Sequence, residues 1–293
     1  MAPAGSLTAV GLTGTEGVAA AVTALFVPGD RPERFAKAAA SGAGVVIIDL
    51  EDAVAQDAKS AALTAALEAV APEGGGAPVR ALVRLNTQGS CQYEADITLL
   101  LSAARTAGSG LLGLVVPKAE DPGALRQLRV DMPKHLALVP LIESALGVVN
   151  AVDLARVPGV TRLAFGAIDF ALDIDADGGD RFLDHARAQL VLASRAAGIA
   201  APLDSPSTDI RDVGKVAESA RLARNFGFGG KLCIHPDQLA TVHSAFVPTQ
   251  TDVEWALSVI GAEGGAAQVD GKMIDRPVTE RAKRILQRAR REQ

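Results

Sequence analysis

The sequence predicts an α/β fold of the (β/α)8 TIM-barrel class with a C-terminal helical extension, and three observations carry the prediction. Eight short apolar runs are each continuous rather than alternating, the pattern of strands buried on both faces. Helix-patterned stretches separate them, and alternating strand and helix builds a parallel sheet. The first run is followed by GDRPER (29–34), which is not the GxGxxG loop that an open doubly wound sheet usually carries there. A length of 293 residues suits one barrel with something added.

The runs are TALFVPG (23–29), VVIIDLED (45–52), ALVRLN (81–86), LLGLVVPK (111–118), ALVPLIES (137–144), RLAFGAID (162–169), IAAPLDS (199–205) and GKLCIHP (230–236). Between them, 34–41 follows Pro32, a good first-turn residue, and 57–70 is rich in Ala and Leu. Shorter helices are expected over 92–107, 122–129 and 147–155. An amphipathic helix over 183–197 ends at Gly198, a natural C-cap, and another over 212–225 precedes the last run. Residues 252–261 read as helix, EGGAAQVDG (263–271) as a flexible linker, and 277–291 as a strongly charged helix. The expected organisation is therefore a leader at 1–22, a catalytic barrel at 23–247, and an arm or lid at 248–293 that docks on a neighbouring subunit, since lids need hinges.

Hydrophobic residues make up 48% and aromatics only 3%, so the core must be built from Ala, Val, Leu and Ile. A net charge of −5 offers no basic excess for a nucleic-acid backbone. Cys91 and Cys233 are far apart, which argues against a disulfide framework or structural zinc and for reduced thiols in a cytoplasmic protein. The N-terminus lacks a positive start and an uninterrupted apolar core, so it reads as a loose leader and not a signal peptide. No stretch reaches the roughly 18 apolar residues of a membrane span.

Barrel enzymes keep their chemistry at the C-terminal ends of the strands. Here every run ends in polar residues: Asp30 and Arg31, then Asp49, Glu51 and Asp52, then Arg84 and Asn86, then Lys118, Glu143, Asp169, Asp204 and His235. Glu143 and Asp169 end neighbouring runs, where two carboxylates would repel unless a cation or proton separates them. A hard divalent ion such as Mg²⁺, with Mn²⁺ as an alternative, takes one or two carboxylates and completes its shell with water and substrate oxygens. The competing reading of Glu143 is a cap on the following helix. Arg84 offers forked donors for a carboxylate or enolate oxygen, or forms a structural ion pair with Asp49 or Glu51. Asp49 and Glu51 share a strand face and suit the orienting of Arg84 and of metal-bound water. Lys118 reads as an ion-pair partner, because nearby acids oppose the lowered pKa that a Schiff base requires. His235 reads as structural or ligand-contacting.

Taken in order, FVPGDRPERFAKAAASGAGVVIIDLEDAV, VRLN, VVPKAE, LIESALG, FGAID, GKLCIHPDQ and DGKMID resemble the citrate lyase β-subunit-like group of the HpcH/HpaI aldolase family over nearly the whole chain. The resemblance implies Mg²⁺ held by Glu143 and Asp169, Arg84 on a substrate carbonyl or carboxylate, and CoA thioester substrates. It implies trimers or hexamers, and a base, matched by Asp275, that reaches the site of a neighbouring subunit. Arg31, Arg34 and Lys37 would lie near the CoA phosphates. The loop PLDSPSTDIRD (202–212) departs from the family's well-defined malyl- and citramalyl-CoA lyases. The expected activity is a Claisen-type cleavage or condensation between an acyl-CoA and a keto acid. Its rivals are an acyl-CoA thioesterase or malate-synthase-like activity at the same site, an aldolase that uses free aldehydes, and a non-catalytic subunit of a citrate lyase complex.

Overall fold

The structure is a computed structural model that describes residues 14–74, 76–176, 180–262, 268–269 and 272–291. The described residues form two compact units that divide between Val242 and His243.

In the first unit, eight parallel strands close into a barrel: β1 (Thr23–Pro28), β2 (Val45–Asp49), β3 (Ala81–Arg84), β4 (Leu111–Val116), β5 (Ala137–Ile142), β6 (Arg162–Phe165), β7 (Ala200–Asp204) and β8 (Gly230–Cys233). Side chains alternate across a strand, so every second residue points inward. The barrel interior holds Ala24, Val45, Ile47, Leu82, Val115, Ala137, Val139, Leu141, Ala164, Leu203 and Leu232, with Phe26 packed against them. The surrounding helices are α1 (Gly14–Ala20), α2 (Phe35–Ala39), α3 (Lys59–Val70), α4 (Tyr93–Ala104), α5 (Pro122–Asp131), α6 (Ala145–Val149), α7 (Ala151–Ala155), α8 (Ala167–Asp173), α9 (Asp180–Ala197), α10 (Val213–Phe226) and α11 (Leu239–Phe246), the last straddling the divide.

The helix expected over 147–155 is two helices broken at Asn150, whose side chain donates to the Glu120 carbonyl at 2.8 Å. Gly198 ends α9 with a φ of +73°, and Asp212 caps α10 by accepting from the Lys215 amide at 3.1 Å. In the second unit, α12 (Gln250–Gly261) packs on α13 (Arg276–Arg291) through Ala256, Val259, Ala282 and Ile285. A short antiparallel pair joins β9 (Gln268–Val269) to β10 (Lys272–Met273). The rest of the linker expected at 263–271 lies outside the described residues, as does the start of the expected leader.

The second half of that leader is not loose. Val18 and Ala21 belong to the barrel core, and Arg162, 1% exposed at the start of β6, holds them there. Its Nη1 donates to the carbonyls of Val18 (3.0 Å) and Ala21 (2.7 Å), and its Nε and Nη2 donate to Ala201 (3.0 and 2.6 Å). The first two carbonyls belong to the end of α1, where helical partners run out and the dipole is negative. Burial pushes the guanidinium's pKa down, and no carboxylate among the described residues offsets that. Removing the guanidinium strands these buried carbonyls. Arg162→Met is expected to lower unfolding stability by about 2–4 kcal/mol, since one orphaned buried polar group costs about 1–3 kcal/mol. The urea midpoint checks this, and an unchanged midpoint would show that α1 is held by apolar packing alone.

Candidate active site at the barrel mouth

Strand register sets up the site. Asp49 on β2 pairs with Arg84 on β3, and both share the inward parity of Ile47 and Leu82. The two side chains therefore meet inside the mouth. Arg84 Nε donates to Asp49 Oδ1 at 2.7 Å and Nη2 to Oδ2 at 2.6 Å, the bidentate fork that a planar guanidinium favours. Phe26, inward on β1, lies beneath it with its ring centre 4.9 Å from Cζ. Asp49 is 1% exposed and also accepts the Glu51 amide (2.9 Å) and the Ala53 amide (3.2 Å), so both of its oxygens are committed.

Glu51 continues the chain of charges. Its Oε2 lies 2.7 Å from Arg84 Nη1 but off the N–H axis, so the contact is an ion pair and not an aligned hydrogen bond. Its Oε1 accepts from Thr87 Oγ1 (2.7 Å) and Lys118 Nζ (2.8 Å). Burial alone would lower the pKa of Arg84, but the hydrogen bond and charge of Asp49, with the charges of Glu51 and Glu143, raise it well above its ordinary value. For Lys118, burial is likewise outweighed by Glu51, Asp52 and Glu143, and its pKa is raised.

Glu143 follows β5 and is 2% exposed. Its Oε1 accepts the Lys118 amide at 2.7 Å. Its Oε2 packs over Gly166, where a Cβ would come within 2.5 Å, so only glycine leaves the carboxylate its place. Burial pushes the Glu143 carboxyl up to about 8, with Glu51 and Asp169 adding repulsion against the pull of the Lys118 amide and Arg84. Asp169 is half-buried and contributes to that repulsion, but it does not end a strand as expected. β6 stops at Phe165, and Asp169 sits in the first turn of α8.

Counted as ionised, Asp49, Glu51, Glu143 and Asp169, with Asp52 exposed 3.8 Å from Arg84, outnumber Arg84 and Lys118, which leaves the mouth short of positive charge. Neither Glu143 Oε2 nor Asp169 accepts a hydrogen bond from the described residues. Among those residues, no group of three or more His, Cys, Asp or Glu is arranged for a metal. Two oxygen donors at a mouth short of positive charge fit a hard divalent ion that takes its other ligands from water and substrate.

Other polar strand ends do not join this mouth. Asp204 has the opposite parity to Leu203, points outward, and pairs with Lys231 (2.8 Å) and with Arg187 of α9 (3.4 Å). His235 caps the 3₁₀ turn Pro236–Gln238, its Nδ1 accepting the Asp237 amide at 3.2 Å. Asn86 turns to Asp96 at 2.8 Å. Arg31, Arg34 and Lys37 are exposed on the segment after β1. Asp275 belongs to the second unit, is exposed, and caps α13 by accepting the Val278 amide at 3.1 Å. Sequence reasoning missed Thr87, Gly166 and the main-chain role of Lys118. The adjacency of ES and FG in LIESALG and FGAID was the only sign that Gly166 and Glu143 meet.

Residues 23–236 match the HpcH/HpaI aldolase/citrate lyase family, and residues 187–291 match the carbon–carbon bond lyases of the TIM-barrel fold. A citrate lyase subunit beta-like protein of Mycobacterium tuberculosis is 37% identical over 275 residues, which cover 90% of this chain and 94% of that protein. The L-malyl-CoA/beta-methylmalyl-CoA lyase of Cereibacter sphaeroides is 31% identical over 301 residues, covering 90% and 93%. The crystal structure of CitE from Mycobacterium tuberculosis in complex with magnesium, acetoacetate and coenzyme A matches with a TM-score of 0.79 and 35% identity, covering 92% of this chain and 98% of that one. The chain belongs to the HpcH/HpaI aldolase/citrate lyase family, and it is a carbon–carbon lyase built on a TIM barrel.

The raised carboxyl of Glu143 has two consequences. Without metal, the folded form keeps a proton that the unfolded chain loses near 4.5, so this group's contribution to stability falls as pH rises from there to about 8. Metal binding needs the carboxylate, so Mg²⁺ is expected to displace roughly one proton at pH 7 and almost none well above pH 8, with affinity rising through that range. Calorimetry in two buffers of different ionisation heat measures the release. A proton count of zero at pH 7 would overturn the displacement of a proton from Glu143 by Mg²⁺.

Proposed function

We propose that this member of the HpcH/HpaI family is a Mg²⁺-dependent lyase acting on a 3-hydroxyacyl-CoA thioester of the malyl-, citramalyl- or citryl-CoA class. It yields an acyl-CoA and a keto acid by a Claisen-type reaction. The observation that carries this reading is the pair Glu143 and Asp169, deficient in positive charge, beside a guanidinium that two carboxylates lock in place. The magnesium, acetoacetate and coenzyme A bound by the Mycobacterium tuberculosis relative support it.

Glu143 and Asp169 would hold the ion, Mg²⁺ or Mn²⁺, which supplies Lewis acidity to the oxygen at the bond that breaks. Arg84 donates two of its five N–H groups to Asp49 and pairs its Nη1 with Glu51. N–H groups left without an aligned acceptor are offered to the thioester oxygen. In cleavage, the electron pair of the carbon–carbon bond moves onto the thioester as an enolate, and the developing charge falls on the oxygen facing Arg84. The hydroxyl gives its proton to solvent water and becomes the keto group. The enolate carbon takes a proton from Asp275 of a neighbouring copy in a trimer or hexamer, and Asp275 then takes a proton back from solvent. In condensation, Asp275 removes that proton instead. Capping α13 engages Oδ1 of Asp275, and Oδ2 has no described partner. Arg31, Arg34 and Lys37 suit the CoA phosphates, because all three are exposed on the segment after β1, at the mouth end of the barrel.

Turnover should require Mg²⁺, and Glu143→Ala should lose it by at least about a thousandfold, consistent with the loss of a main electrostatic contact. Chromatography of products from a panel of keto acids with acetyl-CoA and propionyl-CoA gives the substrate. A metal-dependent carbon–carbon product supports the proposal. Free CoA released from acyl-CoA with no keto acid consumed would replace it with thioester hydrolysis.

A further inference from the structure

Lys118 stands out on two grounds. It has a φ of +45°, and the only other described non-glycine residue in that region is Asp175. Asp tolerates a left-handed backbone because its short polar side chain bonds locally, whereas Lys has no such relief. The conformation has a visible use. It turns the chain after β4 so that the Ala119 amide donates to Leu141 at 3.1 Å and the Lys118 amide reaches Glu143 Oε1 at 2.7 Å. One oxygen of Glu143 is thereby occupied and the other is left for a cation.

The second ground is the ammonium. Its side chain is 39% exposed, against 9% for Arg84, so it is the accessible cation of the mouth. Of its three N–H donors, one reaches Glu51. A substrate with a free carboxylate brings another negative charge to a mouth already rich in acids, and a flexible point charge at the rim is suited to meet it.

We propose that Lys118 acts twice: its main-chain N–H fixes Glu143 for the metal, and its ammonium binds the free carboxylate of the keto acid. The second role rests on the lyase reading above, and the first rests only on its Mg²⁺ site. Four variants of the full chain separate them, with Mg²⁺ alone and then pyruvate in excess Mg²⁺ as calorimetric probes. Lys118→Asn keeps a left-handed backbone and the N–H but removes the charge. It should bind Mg²⁺ within about threefold of wild type and pyruvate roughly ten- to a hundredfold more weakly, the loss of one charge-assisted contact. Lys118→Arg should restore most of the pyruvate affinity. Lys118→Val, β-branched and unsuited to this φ, should weaken Mg²⁺ at least about tenfold. Lys118→Gly should hold Mg²⁺ as wild type does, which decides the main-chain role even if the valine variant fails to fold.

Unchanged pyruvate affinity in Lys118→Asn would overturn the carboxylate role and leave the ammonium as a strut for Glu51. A tenfold loss of Mg²⁺ affinity in Lys118→Gly, or none in a folded Lys118→Val, would overturn the main-chain role. Wild type that binds Mg²⁺ but no pyruvate would overturn the carboxylate role together with the keto-acid reading, and the Mg²⁺ measurements would still decide the first role.

Discussion

A guanidinium taken out of water must be compensated, and at this barrel mouth the compensation is built into strand register. Asp49 and Arg84 are paired residues on adjacent parallel strands with the same inward parity. Their fork needs no loop to assemble it. Removing one partner of such a pair leaves an uncompensated buried charge at a cost of several kcal/mol, whereas the intact pair adds little net stability. Its value here lies in placement. Asp49 spends both oxygens on Arg84 and on two amides, so the guanidinium cannot swing. Preorganised donors cost no rearrangement when charge develops against them.

The remaining site charges follow from that lock. Glu51 balances the third nitrogen of Arg84 and is balanced in turn by Lys118. Glu143 is buried beside this network with only an amide on one oxygen, and its raised carboxyl records the strain of keeping it there. Near neutral pH such a group favours the acid or the ligand over the bare anion. The geometry therefore stores its demand for a cation in one carboxylate rather than spreading it over the mouth. Gly166 is part of the same arrangement, since any side chain there would displace Glu143.

Much of this was readable from sequence because continuous apolar runs mark buried strands and barrel chemistry collects at their ends. Asp49, Glu51, Arg84 and Glu143 were found on that ground. The rule fails where it lacks parity. A run that is apolar on both faces gives no inward or outward signal, so Asp204 looked like a mouth residue although it pairs with Lys231 and Arg187 behind the wall. It also fails at run ends. FGAID continues an apolar pattern past Phe165, but the chain has already entered α8, and Asp169 reaches the site from a helical turn. The packing of α1 was hidden because its tie, Arg162, lies more than a hundred residues away and bonds only to carbonyls. A sequence shows side chains, not main-chain acceptors.

Lys118 shows the same limit from the other side. Its charge was visible, and an ion pair was the natural reading. Its backbone was not, because nothing in PKAE announces a left-handed lysine. Yet the backbone does what the lysine side chain could not do without adding charge: it gives Glu143 a neutral donor. A second ammonium there would favour the carboxylate while competing with the cation for it. An amide stabilises one oxygen and leaves the deficit of positive charge in place. The strained φ is thus tied to the same constraint as the Asp49–Arg84 register. Both hold an ionised group still while leaving the mouth's unmet charge where a divalent ion can satisfy it.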